Sequence, residues 1–285
     1  MKMLSRSLPV LAIALSCLLR STEAAPGLTP GSARSLTKRA NTFVGCDDGQ
    51  RKKAGQALAD MANLAMWGYT EASTDKYGFK HYFRDDELDK FKKAMSIISQ
   101  NNDPTNAPFN FILNCTPTGK ELDLCKEKKG SYAITDATVP KNDQDLKSIW
   151  LCPLFFDKGT DTKNDLPKTD DADALKKWCD QKDYTLFPTA GHVLLHEITH
   201  LDAVAKRFLD ADPKTKEHGT EDFAQGSRPI YDARRLKVLF DNEPNREDYP
   251  QPGFNAESYA GAATELWAQK FCKKDFIPPK NGYET

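Results

Sequence analysis

Residues 191–201 read Gly191-His192-Val193-Leu194-Leu195-His196-Glu197-Ile198-Thr199-His200-Leu201. Val193, Leu194, Ile198, Leu201 and Val204 recur at helical spacing, which predicts a helix over 189–207 with one buried face. Residues four apart share a side of such a helix, so His196 and His200 can direct both imidazoles at a single cation. Glu197 lies beside them, placed to take a proton from water that the cation activates. Zinc suits this set: it takes neutral imidazole nitrogen, keeps a coordination position open and lowers the pKa of water to about 7. With 5 His and 13 Glu among 285 residues, a random order would yield HExxH about 0.004 times. A surface helix carrying two unrelated histidines is the poorer reading. His192, one turn before His196, is expected to pack or to support a ligand from behind.

A catalytic zinc takes a third protein ligand. A Gly three residues after His200 and a His three further on would complete one class of site. Those positions hold Ala203 and Lys206, which excludes it. Glu257, in Asn255-Ala256-Glu257-Ser258-Tyr259, could come from a downstream helix. His218 stands alone in a polar stretch. Asp222 falls within Gly219-Thr220-Glu221-Asp222-Phe223-Ala224-Gln225-Gly226. Spacing leaves all three open.

Outward from the motif, the apolar period predicts helices over 50–70, 85–99, 174–181, 232–240 and 255–271. Between them, 109–113, 132–134 and 149–156 are short, aromatic or β-branched, and bounded by turn residues, which predicts strands. The stretch 157–173, rich in Asp, Lys, Thr and Asn, predicts a loop. The four tryptophans, Trp67, Trp150, Trp178 and Trp267, are expected in the core. No internal repeat occurs. Helices, a small sheet and helices again predict a single α+β domain, mainly helical.

The first residues carry a different message. Lys2 and Arg6 precede an apolar run from Leu8 to Leu19, and Thr22, Ala24 and Ala25 follow, as in a secretory signal peptide ending at Ala24. Residues 25–39 are Gly-, Pro- and Ser-rich and end in Lys38-Arg39, a pair similar to those cut by kexin-like processing proteases. The expected organisation is a signal peptide over 1–24, a short propeptide over 25–39 and a catalytic domain over 40–285. The chain has 40 basic and 41 acidic residues and 39% hydrophobic content. That balance argues against a nucleic-acid-binding surface. Beyond the N-terminus no stretch approaches the roughly 20 apolar residues that cross a bilayer. Neither nucleic acid nor membrane is an expected partner, and a monomer is. After residue 39 six cysteines remain: Cys46, Cys115, Cys125, Cys152, Cys179 and Cys272. An even number in an exported chain predicts up to three disulfides, with 15 connectivities open.

Two histidines of HExxH followed by an aspartate in a GTxDxxYG element resemble the aspzincins, the deuterolysin-like secreted zinc metalloendopeptidases of fungi. The matching positions are His196, Glu197, His200, Gly219, Thr220, Asp222 and Gly226, and Asn255-Ala256-Glu257 is similar to the family's Asn-Ala-Asp segment. The resemblance implies a zincin-like, disulfide-stabilised fold with one zinc ion held by His196, His200 and Asp222. It implies Glu197 as general base in the hydrolysis of protein or peptide substrates. The motif's tyrosine, which assists the transition state, falls on Gln225, and Tyr231 is the candidate to replace it. Anchoring on Tyr231 would bring Asp232 forward as ligand; the Gly-Thr-x-Asp frame favours Asp222. Lysine-preferring members carry two acids near the Asn-Ala-Asp segment. The first matches Glu257 and the second falls on Ala260, so the resemblance leaves one acid to select Lys or Arg after the scissile bond, with less discrimination; the alternative is that Glu257 only hydrogen-bonds neighbouring loops. Cys179 and Cys272 resemble the family's last disulfide, and the same analogy pairs Cys46 with Cys115 and Cys125 with Cys152. The rival reading is a secreted zinc-binding protein or antigen without proteolysis.

Overall fold

Asp47 opens the first long helix. Its carboxylate accepts the Gln50 N–H at 2.8 Å, while Gln50 Oε1 accepts the Asp47 N–H at 3.0 Å. This reciprocal cap satisfies two backbone donors at the start of α1 (Asp48–Glu71). The computed structural model describes residues 43–100, 111–127, 131–135, 147–157, 165–180, 189–210, 219–222, 224–225, 228–229, 233–244 and 251–273. All of them fall within the unit Ser32–Thr285. The expected signal peptide and propeptide lie outside the described residues.

Short helix α2 (Tyr77–Lys80) and a 3₁₀ turn (Asp85–Glu87) lead into α3 (Leu88–Ser99), which buries Phe91, Ala94, Met95 and Ile98. The sheet contains β1 (Phe43–Val44), β2 (Phe111–Asn114), β3 (Ala133–Thr135) and β4 (Lys147–Leu151) in the order β1-β2-β4-β3. The first three strands in that order run parallel, and β3 pairs antiparallel with β4 through Ala133↔Leu151 and Thr135↔Ile149. Thus β3 forms one edge. Phe111 and Leu113 of β2 are buried while Ile112 and Asn114 are half-buried, so one face of the strand meets the core.

Helix α4 (Gly119–Glu127) precedes β3, and α5 (Pro153–Phe156) follows β4. The strand expected over 149–156 therefore stops early. Pro153 has no N–H to give to a ladder, and its fixed φ suits the first turn of a helix. Next come α6 (Ala172–Cys179), α7 (Ala190–His200) and α8 (Asp202–Ala205). The helix expected over 189–207 is thus two, broken at Leu201, whose φ of −67° and ψ of 119° are extended. Two antiparallel two-residue strands, β5 (Ala224–Gln225) and β6 (Arg228–Pro229), precede α9 (Ala233–Asn242) and the C-terminal α10 (Ala256–Cys272).

Helix α7 packs against α1, α10 and β3. The approach to α1 is close: a Cβ on Gly191 would lie 2.5 Å from Asp60 Cβ, so only glycine fits there. Trp178 and Trp267 are buried and meet edge to face at 5.1 Å, while Trp67 and Trp150 are half-buried. Disulfides join Cys46–Cys115, Cys125–Cys152 and Cys179–Cys272, the three pairs that the resemblance implied. The molecule is mostly helical with a small mixed sheet. Three disulfides fit an oxidising, extracellular setting. No described helix is long and apolar enough to cross a membrane.

Candidate metal centre

Thr189 caps α7, its hydroxyl accepting the His192 N–H at 3.1 Å. All eleven residues of the helix are buried, and the side chains of His196 and His200 are 9% and 11% exposed. The helix stops one residue before Leu201, and the chain comes back to it as Gly219–Asp222. That returning segment is stitched on both sides. The Thr220 N–H donates to Thr199 O at 3.2 Å, and the hydroxyls of Thr199 and Thr220 are 2.8 Å apart. The Glu221 N–H donates to Phe254 O at 2.8 Å, and Glu221 O accepts the Ala256 N–H at 3.1 Å. One side ties the segment to the end of α7, the other to the start of α10.

Asp222 is fixed by that stitching. Its Oδ1 lies 2.8 Å from His196 Nε2 and 3.4 Å from His200 Nε2, and the two Nε2 atoms are 3.2 Å apart. His196, His200 and Asp222 form a group that could hold a metal ion, the only such group among the described residues. Three ligand atoms on a tetrahedral ion, each about 2.0–2.1 Å from it, would stand about 3.3–3.4 Å from one another. The observed spacings are close to that.

Proton placement agrees. His200 Nδ1 lies 2.7 Å from Thr220 O, a carbonyl that can only accept, so Nδ1 carries the proton. His196 Nδ1 lies 2.9 Å from Glu257 Oε2 and donates to that carboxylate. Each ring uses its Nδ1–H on an oxygen, so Nε2 is the nitrogen offered to a metal. The chemistry of the donor set, two imidazole nitrogens and one carboxylate oxygen with a remaining position open, fits zinc among other divalent ions.

The charges are arranged for a cation. Without an ion, burial opposes the imidazolium of His196, but hydrogen bonds to Asp222 and Glu257 outweigh it and raise its pKa well above the usual imidazole value, so that a proton on Nε2 stands where a metal ion would otherwise be held. Burial likewise opposes the anion of Asp222, yet its bonds to His196 and His200 hold its pKa far below the usual carboxylate range. Glu257 is kept at about 2 against the pull of burial, chiefly by His192 and then by His196.

Glu257 meets the rings from the other edge. Its Oε2 is on His196 Nδ1 and its Oε1 lies 3.0 Å from His192 Nε2, so it stands behind His196 rather than on the Nε2 side with Asp222. Of the third-ligand candidates, Asp222 joins the Nε2 pair and Glu257 does not. His218, Tyr231 and Asp232 lie outside the described residues.

Glu197, next after His196, accepts a hydrogen bond at Oε2 from the Thr135 hydroxyl at 2.7 Å. The same hydroxyl lies 3.0 Å from the Glu197 carbonyl. Thr135 ends edge strand β3, and nothing in its local sequence marked it. The Thr220 carbonyl and Thr264, whose Oγ1 is 2.8 Å from His192 Nδ1, were equally unmarked, because backbone acceptors and lone threonines carry no motif.

The class defined so far is a disulfide-linked, mainly helical protein with a His–His–Asp group, its histidines buried and its aspartate exposed, that could hold a metal ion. Among known proteins, no family model matches the chain and no curated protein matches it.

Proposed function

We propose that this chain is an exported zinc endopeptidase of the aspzincin kind, with a zincin-like catalytic domain. The observation that carries the reading is the convergence of His196 Nε2, His200 Nε2 and Asp222 Oδ1 within 3.4 Å of one another, with both Nδ1 atoms committed to oxygen acceptors. These three residues would hold the ion. Zinc bound there supplies Lewis acidity and lowers the pKa of water to about 7.

The remaining work belongs to the protein. Glu197 takes a proton from the attacking water and hands it to the leaving amine, and Thr135 holds one of its oxygens in place. The resemblance alone assigns Tyr231 to the developing oxyanion. Edge strand β3 supports a peptide substrate over a small one. Its outer side has no strand partner among the described residues, so an extended peptide can add to it through backbone hydrogen bonds. The Thr135–Glu197 contact couples that edge to the general base. A base beside the metal also favours hydrolysis over mere metal storage, which has no use for one.

Casein hydrolysis by the purified protein decides the matter. Activity that a chelator abolishes and zinc restores, and that Glu197→Gln removes while zinc stays bound, is the expected result. Stoichiometric zinc without hydrolysis would leave the metal-binding rival; no zinc binding at all would remove both.

A further inference from the structure

We propose that Glu257, backed by His192 and Thr264, is the positioning group for metal ligand His196 and not a selector of substrate side chains. The inference rests on the metal site proposed above and deepens it. Four side chains form one continuous line. Thr264 Oγ1 is 2.8 Å from His192 Nδ1, His192 Nε2 is 3.0 Å from Glu257 Oε1, and Glu257 Oε2 is 2.9 Å from His196 Nδ1. Only one proton assignment satisfies the line with neutral rings. A carboxylate accepts only, so His192 must donate from Nε2, which leaves its Nδ1 to accept from the Thr264 hydroxyl. His196 must donate from Nδ1, which turns the lone pair of Nε2 toward Asp222 and His200.

The line is anchored in two helices. His192 and His196 are one turn apart on α7, and Glu257 and Thr264 are two turns apart on α10, so each pair shares a face. Thr264 is 1% exposed, and the His192 and Glu257 side chains 11% and 20%. A ring held at its far nitrogen by a carboxylate is fixed in both orientation and tautomer, and it is a stronger ligand. Selection of a Lys or Arg side chain asks something else of a carboxylate: oxygens free to receive a cation. Each oxygen of Glu257 is already engaged by an imidazole N–H. A substrate ammonium would have to break the support of a metal ligand in order to bind.

The test is zinc affinity, measured by competition with a chromophoric chelator on apo-protein whose folding is checked by circular dichroism. Glu257→Ala should weaken zinc binding by roughly 10- to 100-fold. Glu257→Gln, which can still accept from His196, should recover part of that loss, and cobalt in the Ala variant should show an altered visible spectrum. A folded Ala variant that binds zinc as tightly as wild type overturns the proposal. So does a Gln variant no better than Ala, since Gln keeps both the side-chain shape and an acceptor for His196 Nδ1. Should the Ala variant fail to fold, Thr264→Val keeps the carboxylate and breaks only the far link, with an expected loss of roughly two- to tenfold. An unchanged affinity there would count against the line. Cleavage profiling adds a second readout: a basic preference after the cut that disappears with Glu257 while affinity is intact would restore the selector role. If wild type itself binds no zinc, the proposed function falls as well; if wild type binds and cleaves but the variants bind normally, this inference alone fails.

Discussion

Gly219 and His200 touch backbone to backbone: a Cβ on Gly219 would lie 2.7 Å from the His200 carbonyl oxygen. A carbonyl in the last turn of a helix has no flexible end to swing away, so a methyl group there must push the 219–222 segment off α7. Asp222 rides on that segment and is set to within hydrogen-bond distance of His196. Gly219→Ala should therefore weaken zinc binding by roughly tenfold or more, as loss of a well-placed supporting contact does at metal sites. Calorimetric titration of apo-protein checks this. A variant with wild-type affinity would mean that Asp222 is not delivered by this contact.

Thr135 gives a separable prediction, because it touches the base and not the metal ligands. Thr135→Val keeps the side-chain shape and removes the hydrogen bond to Glu197 Oε2. A hydrogen bond to a charged group contributes about 1.5–3 kcal/mol, so kcat should fall by roughly 10- to 100-fold. Zinc affinity and KM should stay near wild type. Steady-state kinetics beside a metal titration read both, and a matching loss of zinc would transfer Thr135 from the base to the metal.

Much of this site could be read in the residues, and the remainder could not, for reasons that differ. Helix α7 carries both a 3.6-residue apolar period and HExxH, so its existence and its ligand face were legible. Its end was not: nothing local says that Leu201 turns extended so that the returning segment can pair with Thr199. Strand β1 has two residues, too few for an alternation, and exists because Phe43 and Val44 pair with Leu113 and Asn114. Helix α4 buries Leu122 and Leu124 only partly, so its apolar face is faint, and the Cys125–Cys152 bond helps to hold it. Glu257 was visible as a carboxylate near the motif. Which edge of His196 it would face depended on how α10 lies against α7, a tertiary matter. Thr135 and Glu197 are 62 residues apart and meet only because β3 packs on α7.

Asp60 predicts a pH dependence away from the metal. It is 4% exposed, accepts from Gln56 Nε2 at 2.8 Å and from the Leu166 N–H at 2.9 Å, and burial pushes its pKa up to about 7. In the unfolded chain the group ionises near pH 4, so between pH 4 and 7 the folded state holds the extra proton. Its contribution to stability is thus fully present below pH 4 and is lost as the pH rises through about 7. A shift of about three units corresponds to roughly 4 kcal/mol at most. Asp60→Asn removes the titration, so in urea unfolding the wild type should lose stability relative to the variant between pH 5 and pH 8. Parallel changes in the two proteins would contradict the assignment.

The Cys179–Cys272 bond separates folding stability from the metal site. It joins the end of α6 to the last residue of α10 and closes a loop of 93 residues in sequence separation. Beside it, Trp178 and Trp267 pack edge to face. Glu257 and Thr264 lie on earlier turns of α10, where the helix packs against α7. Replacing both cysteines by Ala releases the unfolded chain, and a loop of this size costs about 4–5 kcal/mol of stability on that account. The aromatic pair and the α7–α10 contact remain, so the folded variant should keep wild-type zinc affinity while its Tm drops. Thermal melts with and without zinc measure this: the stabilisation that zinc adds should be the same in both proteins. A smaller zinc-induced rise in the variant would mean that the bond also shapes the metal site through α10.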